Sequence, residues 1–262
     1  MDAGGARQPD ARARLLRPPG RSAEDRVSGL RVLVIIPAHD EQESLPRTLD
    51  ELRAVVPGAD LLVVDDGSRD ATAAVARARG VRVLRHVFNQ GVGAALQTGF
   101  RWAVDHGYDV GVQFDADGQH DPAYLETLLE PVRAGRCDVS IGSRYVQRSG
   151  YRAPAVRRIG MVLFSGLVSA ALRVRITDTT SGFRAYARRV MEVCQHDFPR
   201  DFPDAPLLIM LGRCGFRMEE VPVQMRERRA GRSFYTFGTS LYYPYKNLLA
   251  SLMALLQRPA QP

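Results

Sequence analysis

Val110-Gly111-Val112-Gln113-Phe114-Asp115-Ala116-Asp117-Gly118-Gln119-His120 runs from an apolar-leaning segment straight into a pair of carboxylates. Aspartate weakens a strand and sits badly in a core, so strand and acids must meet at an element's end. In extended backbone, residues i and i+2 point the same way. Asp115 and Asp117 therefore share a side and repel each other unless a cation lies between them. Hard oxygen ligands suit Mg²⁺ or Mn²⁺, which keep several waters and bind substrate phosphate as well. Gln119 could add a third oxygen. The competing reading is an Asp-rich turn hinged at Gly118. His120 reads as a hydrogen-bonding neighbour of the acids, or as part of the turn, rather than as a ligand.

Outward from this stretch the pattern repeats. Leu30–Ile36 is an apolar run ending at Pro37, Leu61–Val64 another, and Val81–His86 a third. With Val110–Phe114 and Asp138–Ile141 these read as buried strands. Between them lie helical spacings at Glu43–Val56, Asp70–Arg79, Gly93–His106 and Pro122–Ala134. Strands alternating with helices predict an α/β fold on a parallel sheet. Ligands of such sheets bind beyond the carboxyl ends of the strands. Three of these ends are polar: Pro37–Glu41, Asp65–Ser68 and Asp115–Gln119. All three point to one edge, which is the expected site.

The chain has 262 residues and is 45% hydrophobic, enough for a substantial core without covalent staples. Cys137, Cys194 and Cys214 are widely spaced and form no CxxC, so neither a disulfide framework nor a zinc site is expected, and a reducing cytoplasmic location fits. The net charge is +7, with Lys246 the only lysine. Between Val139 and Thr177 there are seven arginines and no acid, which suggests a surface facing something anionic. Nucleic acid is not the expected partner, because strand-end acids would repel a phosphate backbone. Neither GxGxxG nor GxxxxGK[ST] occurs, which argues against NAD and P-loop binding. Residues 1–29 read as a disordered basic tail. Two apolar stretches, Ile159–Leu172 and Asn247–Gln257, are shorter than the ~18 residues of a membrane span. Each reads either as a core helix or as a helix lying on a membrane surface. Tyr235, Phe237, Tyr242, Tyr243 and Tyr245 precede the second and could form an interfacial belt.

Further motifs follow in order: Ile36-Pro37-Ala38-His39-Asp40-Glu41, Val64-Asp65-Asp66-Gly67-Ser68, Asn89-Gln90-Gly91, the opening acids, Gly142-Ser143-Arg144, Asp178-Thr179-Thr180-Ser181-Gly182-Phe183-Arg184 and Arg228-Arg229-Ala230-Gly231-Arg232-Ser233. This ordered set, from about Val32 to Ser233, resembles glycosyltransferase family 2. Within the family it is similar to the polyprenyl-phosphate sugar synthases, the dolichyl-phosphate mannose synthase-like branch. The resemblance implies the GT-A nucleotide-sugar-binding fold, a mostly parallel central sheet with helices on both faces, over residues 30–238. Residues 239–262 would form a C-terminal amphipathic segment at the membrane interface. The resemblance also implies residue roles. Pro37, Glu41, one or both of Asp65 and Asp66, Gly91 and Ala116 would hold the nucleotide-sugar. Asp115, Asp117 and Gln119 would hold Mg²⁺ or Mn²⁺ on its diphosphate. Arg144 and Arg228 would contact phosphate, with Arg157, Arg158 and Ser233 on the acceptor side. Asp178 would lie by the reacting sugar. On its own residues, Gly231 in Arg228–Ser233 reads either as part of a mobile loop that can close over a donor or as a basic, solvated surface turn. The family's usual Tyr-Asn before Glu41 is His39-Asp40 here, and its DADLQH is DADGQH. The implied reaction is an inverting transfer from a GDP-mannose- or UDP-glucose-type donor to a polyprenyl phosphate, by a protein peripheral to the inner face of the cell membrane. The alternative is transfer to a glycan or small-molecule hydroxyl, with Asp178 as base. Oligomeric state is not legible.

Overall fold

The computed structural model describes residues 29–146, 155–199, 203–226 and 237–256. Its spine is a seven-stranded sheet in the order β3-β2-β1-β4-β6-β5-β7. The strands are β1 (Val32–Ala38), β2 (Asp60–Asp65), β3 (Arg82–Arg85), β4 (Val110–Gln113), β5 (Val139–Ser143), β6 (Arg184–Ala187) and β7 (Met218–Pro222). The helices are α1 (Leu45–Val55), α2 (Thr72–Ala78), α3 (Val92–Asp105), α4 (Leu125–Arg133), α5 (Ala155–Leu172), α6 (Arg188–Cys194), α7 (Ala205–Arg213) and α8 (Phe237–Leu256).

Within the sheet only β6 is antiparallel, to both β4 and β5. The carboxyl ends of the other strands therefore share one edge, and β6 enters the sheet from that same edge with Arg184. Alternation along β1 explains the layering. Leu33 and Ile35 face one apolar cluster with Leu96, Phe100, Tyr186 and Leu207. Val34 and Ile36 face the other with Leu49, Phe114, Leu128 and Phe183. Helices thus cover both faces, as expected for strands that are apolar on both sides. Gly99 lets α3 lie directly on β1, since a Cβ there would fall 2.3 Å from Ile35 Cγ2.

The structure corrects several boundaries. Pro37 lies inside β1, not after it, at a point where β1 has outrun β4 and is paired only with β2. Asp70 does not open a helical turn. Its Oδ1 accepts from the Thr72 N–H at 2.9 Å, and α2 begins at Thr72. Pro122–Tyr124 is a 3₁₀ turn, capped by Asp121 accepting from the Ala123 N–H at 3.1 Å, ahead of α4.

Of the two apolar stretches, the second is unusual. α8 buries Asn247, Ser251 and Ala254 and turns Leu248, Leu249, Leu252, Met253 and Leu256 outward. No helix among the described residues is long and apolar enough to cross a membrane. Residues 1–28 of the basic tail lie outside the described residues, as do Arg228, Gly231 and Ser233.

Candidate active site

The acids end β4 as expected. Asp117 is buried and its Oδ1 accepts the Gln119 N–H at 3.0 Å, while Asp115 is more open. Gly118 has φ +76, the left-handed region that favours glycine, and turns the chain directly after Asp117. Thr48 on α1 donates to the Ala116 carbonyl at 3.1 Å and fixes the loop from below. A Cβ on Gly118 would have only Thr48 Oγ1 nearby, at 3.9 Å, so leucine in this place would project over Thr48. Instead a small cleft of about 110 Å³ opens beside the loop, lined among others by Thr48, Asp117, Gly118 and Arg226.

His120 holds the first acid. Its Nδ1 accepts the Asp115 N–H at 3.0 Å, which puts the proton of the neutral ring on Nε2, 3.4 Å from Asp115 Oδ2. The ring is stacked on Phe183 at 4.9 Å and meets Phe114 edge-on at 5.2 Å. Its orientation is therefore set by packing. Gly182 presses on Asp115 from the other side, where a Cβ would sit 2.8 Å from Oδ2. Among the described residues no group of three or more His, Cys, Asp or Glu forms a ready-made metal cage. Paired carboxylates with a neighbouring amide oxygen nevertheless fit Mg²⁺ or Mn²⁺, which takes its remaining ligands from water and phosphate.

The strand ends of β1 and β2 form a double loop. Asp40 and Glu41 N–H groups donate to Ser68 Oγ and Thr72 Oγ1 at 3.0 and 2.8 Å, and the Arg69 N–H donates back to Asp40 Oδ1 at 2.8 Å. Asp40 has φ +54, a conformation that asparagine and aspartate both tolerate, so the turn survives the His39-Asp40 variation. His39 Nδ1 lies 2.9 Å from the Asp66 carbonyl. Glu41 accepts from Ser44 Oγ. The two acids of this motif are turned inward. Asp66 accepts the Gln90 and Gly91 N–H groups at 2.9 and 2.8 Å, and His86 Nδ1 lies 2.7 Å away. Asp65 accepts the Ser68 N–H at 2.9 Å, and Arg85 Nε is 3.0 Å from its Oδ2 without the alignment of a hydrogen bond. Asp66 thus shapes the Asn89-Gln90-Gly91 loop. His86, which also reaches Thr98 at 2.9 Å, had no local sequence signal.

On the far side of the edge, Arg144 and Asp178 form one unit. Asp178 Oδ2 accepts Arg144 Nε at 2.7 Å and the Arg144 N–H at 3.1 Å, and Oδ1 accepts Nη2 at 2.7 Å. Both side chains are buried. Removing one member of such a pair costs about 3–5 kcal/mol. Both Asp178 oxygens already accept, which argues against its use as a base. Arg184 joins neither Asp178 nor the edge surface. It is buried and donates to the Thr179 and Pro203 carbonyls at 2.9 and 2.8 Å, tying two loops together. Arg157 and Arg158 fall in the first turn of α5, where the backbone alone is described. The chain returns to the site at Met225, bridged to His120, and at Arg226, whose N–H donates to the Gln119 carbonyl at 2.8 Å. Arg226 also pairs with Glu51 on α1 and with Asp121 at 2.8 Å, a staple not foreseen from sequence.

Comparison with known proteins agrees with this geometry. The family model for glycosyl transferase family 2 matches residues 33–194. An undecaprenyl-phosphate mannosyltransferase of Micrococcus luteus is 38% identical over 220 residues, covering 78% of this chain and 87% of that one. A polyprenol monophosphomannose synthase of Mycolicibacterium smegmatis is 37% identical over 222 residues, covering 78% and 80%. The crystal structure of glucosyl-3-phosphoglycerate synthase from Mycobacterium tuberculosis with Mn²⁺ and UDP-glucose superposes with a TM-score of 0.64 at 23% identity, covering 94% of this chain and 86% of that one. Sheet, site and sequence agree: the chain belongs to glycosyltransferase family 2, on its polyprenyl-phosphate sugar synthase-like branch, and is a glycosyltransferase of GT-A fold.

Proposed function

We propose that this protein moves a hexose, mannose first among the candidates, from a nucleotide-sugar to a polyprenyl phosphate at the inner face of the cell membrane. The observation that carries this reading is the meeting of two halves at one edge. Gly182, on the loop that carries Asp178, the ion-pair partner of Arg144, abuts the carboxylate of Asp115. A carboxylate pair suited to a metal–diphosphate thus lies beside an arginine suited to a phosphate acceptor. The names of the relatives from Micrococcus and Mycolicibacterium support the lipid acceptor and the sugar. Mn²⁺ in the glucosyl-3-phosphoglycerate synthase structure supports a divalent metal.

The chemistry is an in-line displacement at the anomeric carbon, with inversion. Asp115, Asp117 and the Gln119 side chain would hold Mg²⁺ or Mn²⁺, which when bound offsets charge on the departing nucleoside diphosphate. Pro37, Glu41 and the Asp65–Asp66 turn frame the base and ribose. A phosphate monoester is already ionised at neutral pH, so its oxygen attacks without a general base. Asp178, engaged by Arg144, then has a positioning task, which favours the lipid phosphate over a hydroxyl acceptor. Arg144, with Arg228, Arg157, Arg158 and Ser233, would hold the acceptor phosphate. The outward apolar face of α8 supports contact with the bilayer.

The test is an assay with Mg²⁺ or Mn²⁺, a panel of nucleotide-sugars and a short polyprenyl phosphate. Organic-extractable, acid-labile sugar is expected, and Asp117→Ala should lose it at least a hundredfold while keeping a native circular dichroism spectrum. Hydrolysis of donors with no lipid product across the panel would overturn the lipid acceptor. Full activity of the Asp117 variant would overturn the metal assignment.

A further inference from the structure

We infer that Glu220, on the edge strand β7, is a positioning residue that acts on the reaction through Asp178 and Arg144. In the sheet register it lies beside Ile141 of β5, three residues before Arg144. Its side chain reaches the edge loop with three hydrogen bonds. Oε2 accepts the Thr177 N–H at 2.9 Å and the Thr177 Oγ1–H at 2.8 Å, and Oε1 accepts the Asp178 N–H at 2.7 Å. Thr177 Oγ1 also lies 3.0 Å from Ser143 Oγ, next to Arg144. One carboxylate therefore fixes the backbone that aims Asp178, and Asp178 fixes the guanidinium of Arg144 by a forked pair. Thr180 Oγ1, accepting from Arg144 Nη2 at 2.7 Å, closes the unit.

A carboxylate spent on two successive N–H groups is a strong local constraint, because each bond is charge-assisted. The loop between α5 and β6 has no regular structure of its own at Thr177–Asp178, and among the described residues Glu220 is the acceptor for both N–H groups. Glu220 is thus to Arg144 what an orienting group is to a metal ligand: it touches no substrate and decides where the touching group points.

The inference rests on the proposed role of Arg144 only for which substrate feels the effect, and a double-mutant cycle keeps the two apart. Glu220→Gln, Arg144→Lys and the double variant are assayed with each substrate varied in turn at saturating partner. Glu220→Gln is expected to lower kcat/KM for polyprenyl phosphate by roughly 10- to 100-fold, mainly through KM. Glu220→Asp, which keeps the charge, should recover part of it. The double variant should be no worse than Arg144→Lys alone, within about twofold. Losses that simply multiply would overturn the inference. So would a lowered melting temperature with kcat/KM unchanged. Coupled losses that fall on the nucleotide-sugar KM would leave the relay standing and overturn the assignment of Arg144 to the acceptor. Should Glu220→Gln fail to fold, Thr177→Val in the same cycle removes one of the three bonds, and independence from Arg144 there would be equally fatal.

Discussion

Asp115 is held between a histidine and a glycine, and the glycine is the more exacting of the two. A methyl group at position 182 would lie 2.8 Å from Oδ2 and 3.2 Å from Oδ1 of Asp115. The carboxylate is the softer partner, so it moves and the backbone stays. Gly182→Ala should therefore raise the Mg²⁺ or Mn²⁺ concentration for half-maximal activity by about 10- to 100-fold, the usual cost of disturbing a ligand's support. A metal titration of activity checks this, with melting temperature as control; an unchanged titration would refute it. At this scale the sequence announced the acids and the glycine motif, since strand-end acids and fixed spacing are local signals. It did not announce Glu220, His86 or Arg226. Their partners lie 42 and 43, 20 and 12, and 175 and 105 residues away, respectively, and no turn or helical spacing links such ends.

Elements of the first half were legible because β1, β2 and β4 are buried on both faces and read as apolar runs. β6 and β7 were not. Arg184-Ala185-Tyr186-Ala187 opens on a cation, and Met218–Pro222 carries Glu219 and Glu220. Each becomes a strand through its neighbours: β6 lies between β4 and β5, and β7 covers the outer side of β5. α8 inverts the usual pattern, with polar Asn247 and Ser251 inside and leucines outside. An ordinary surface helix does the reverse. Leu249→Glu with Leu252→Glu should abolish flotation with anionic liposomes yet leave the melting temperature within a few degrees, as both residues already face outward. Undiminished flotation would remove α8 as the anchor.

Across the whole molecule, carboxylates tie the loops around the strand-end acids together, and acid should loosen them. Burial alone would raise the pKa of Glu51, but hydrogen bonds from Arg47 and Arg226 outweigh it and hold the group below the ordinary glutamate value of 4.5. Burial is likewise outweighed at Asp70 by hydrogen bonds from Thr72 and Gln42, which hold it below 3.8. A depressed folded-state pKa means stability that is present above the unfolded value and is lost as pH falls through the folded one. Between pH 6 and pH 3 the urea midpoint should therefore fall, and Glu51→Gln should flatten the upper part of that fall, beginning near pH 4.5. A variant with the same acid slope as the parent would show that Glu51 contributes nothing.

The single reversed strand also sets an order of assembly. β1 to β4 arise from successive βα units, and their register closes within residues 32–113. β5 must wait for β6, 45 residues beyond its first residue, and for β7, 79 residues beyond it. Non-local pairing of this kind is slow to form. On a chain leaving the ribosome, the carboxylates at 115 and 117 can be in place while Arg144 still lacks the strand that carries Glu220. The strand ends that carry the paired acids can therefore form before the unit of Arg144, Asp178 and Glu220 is complete.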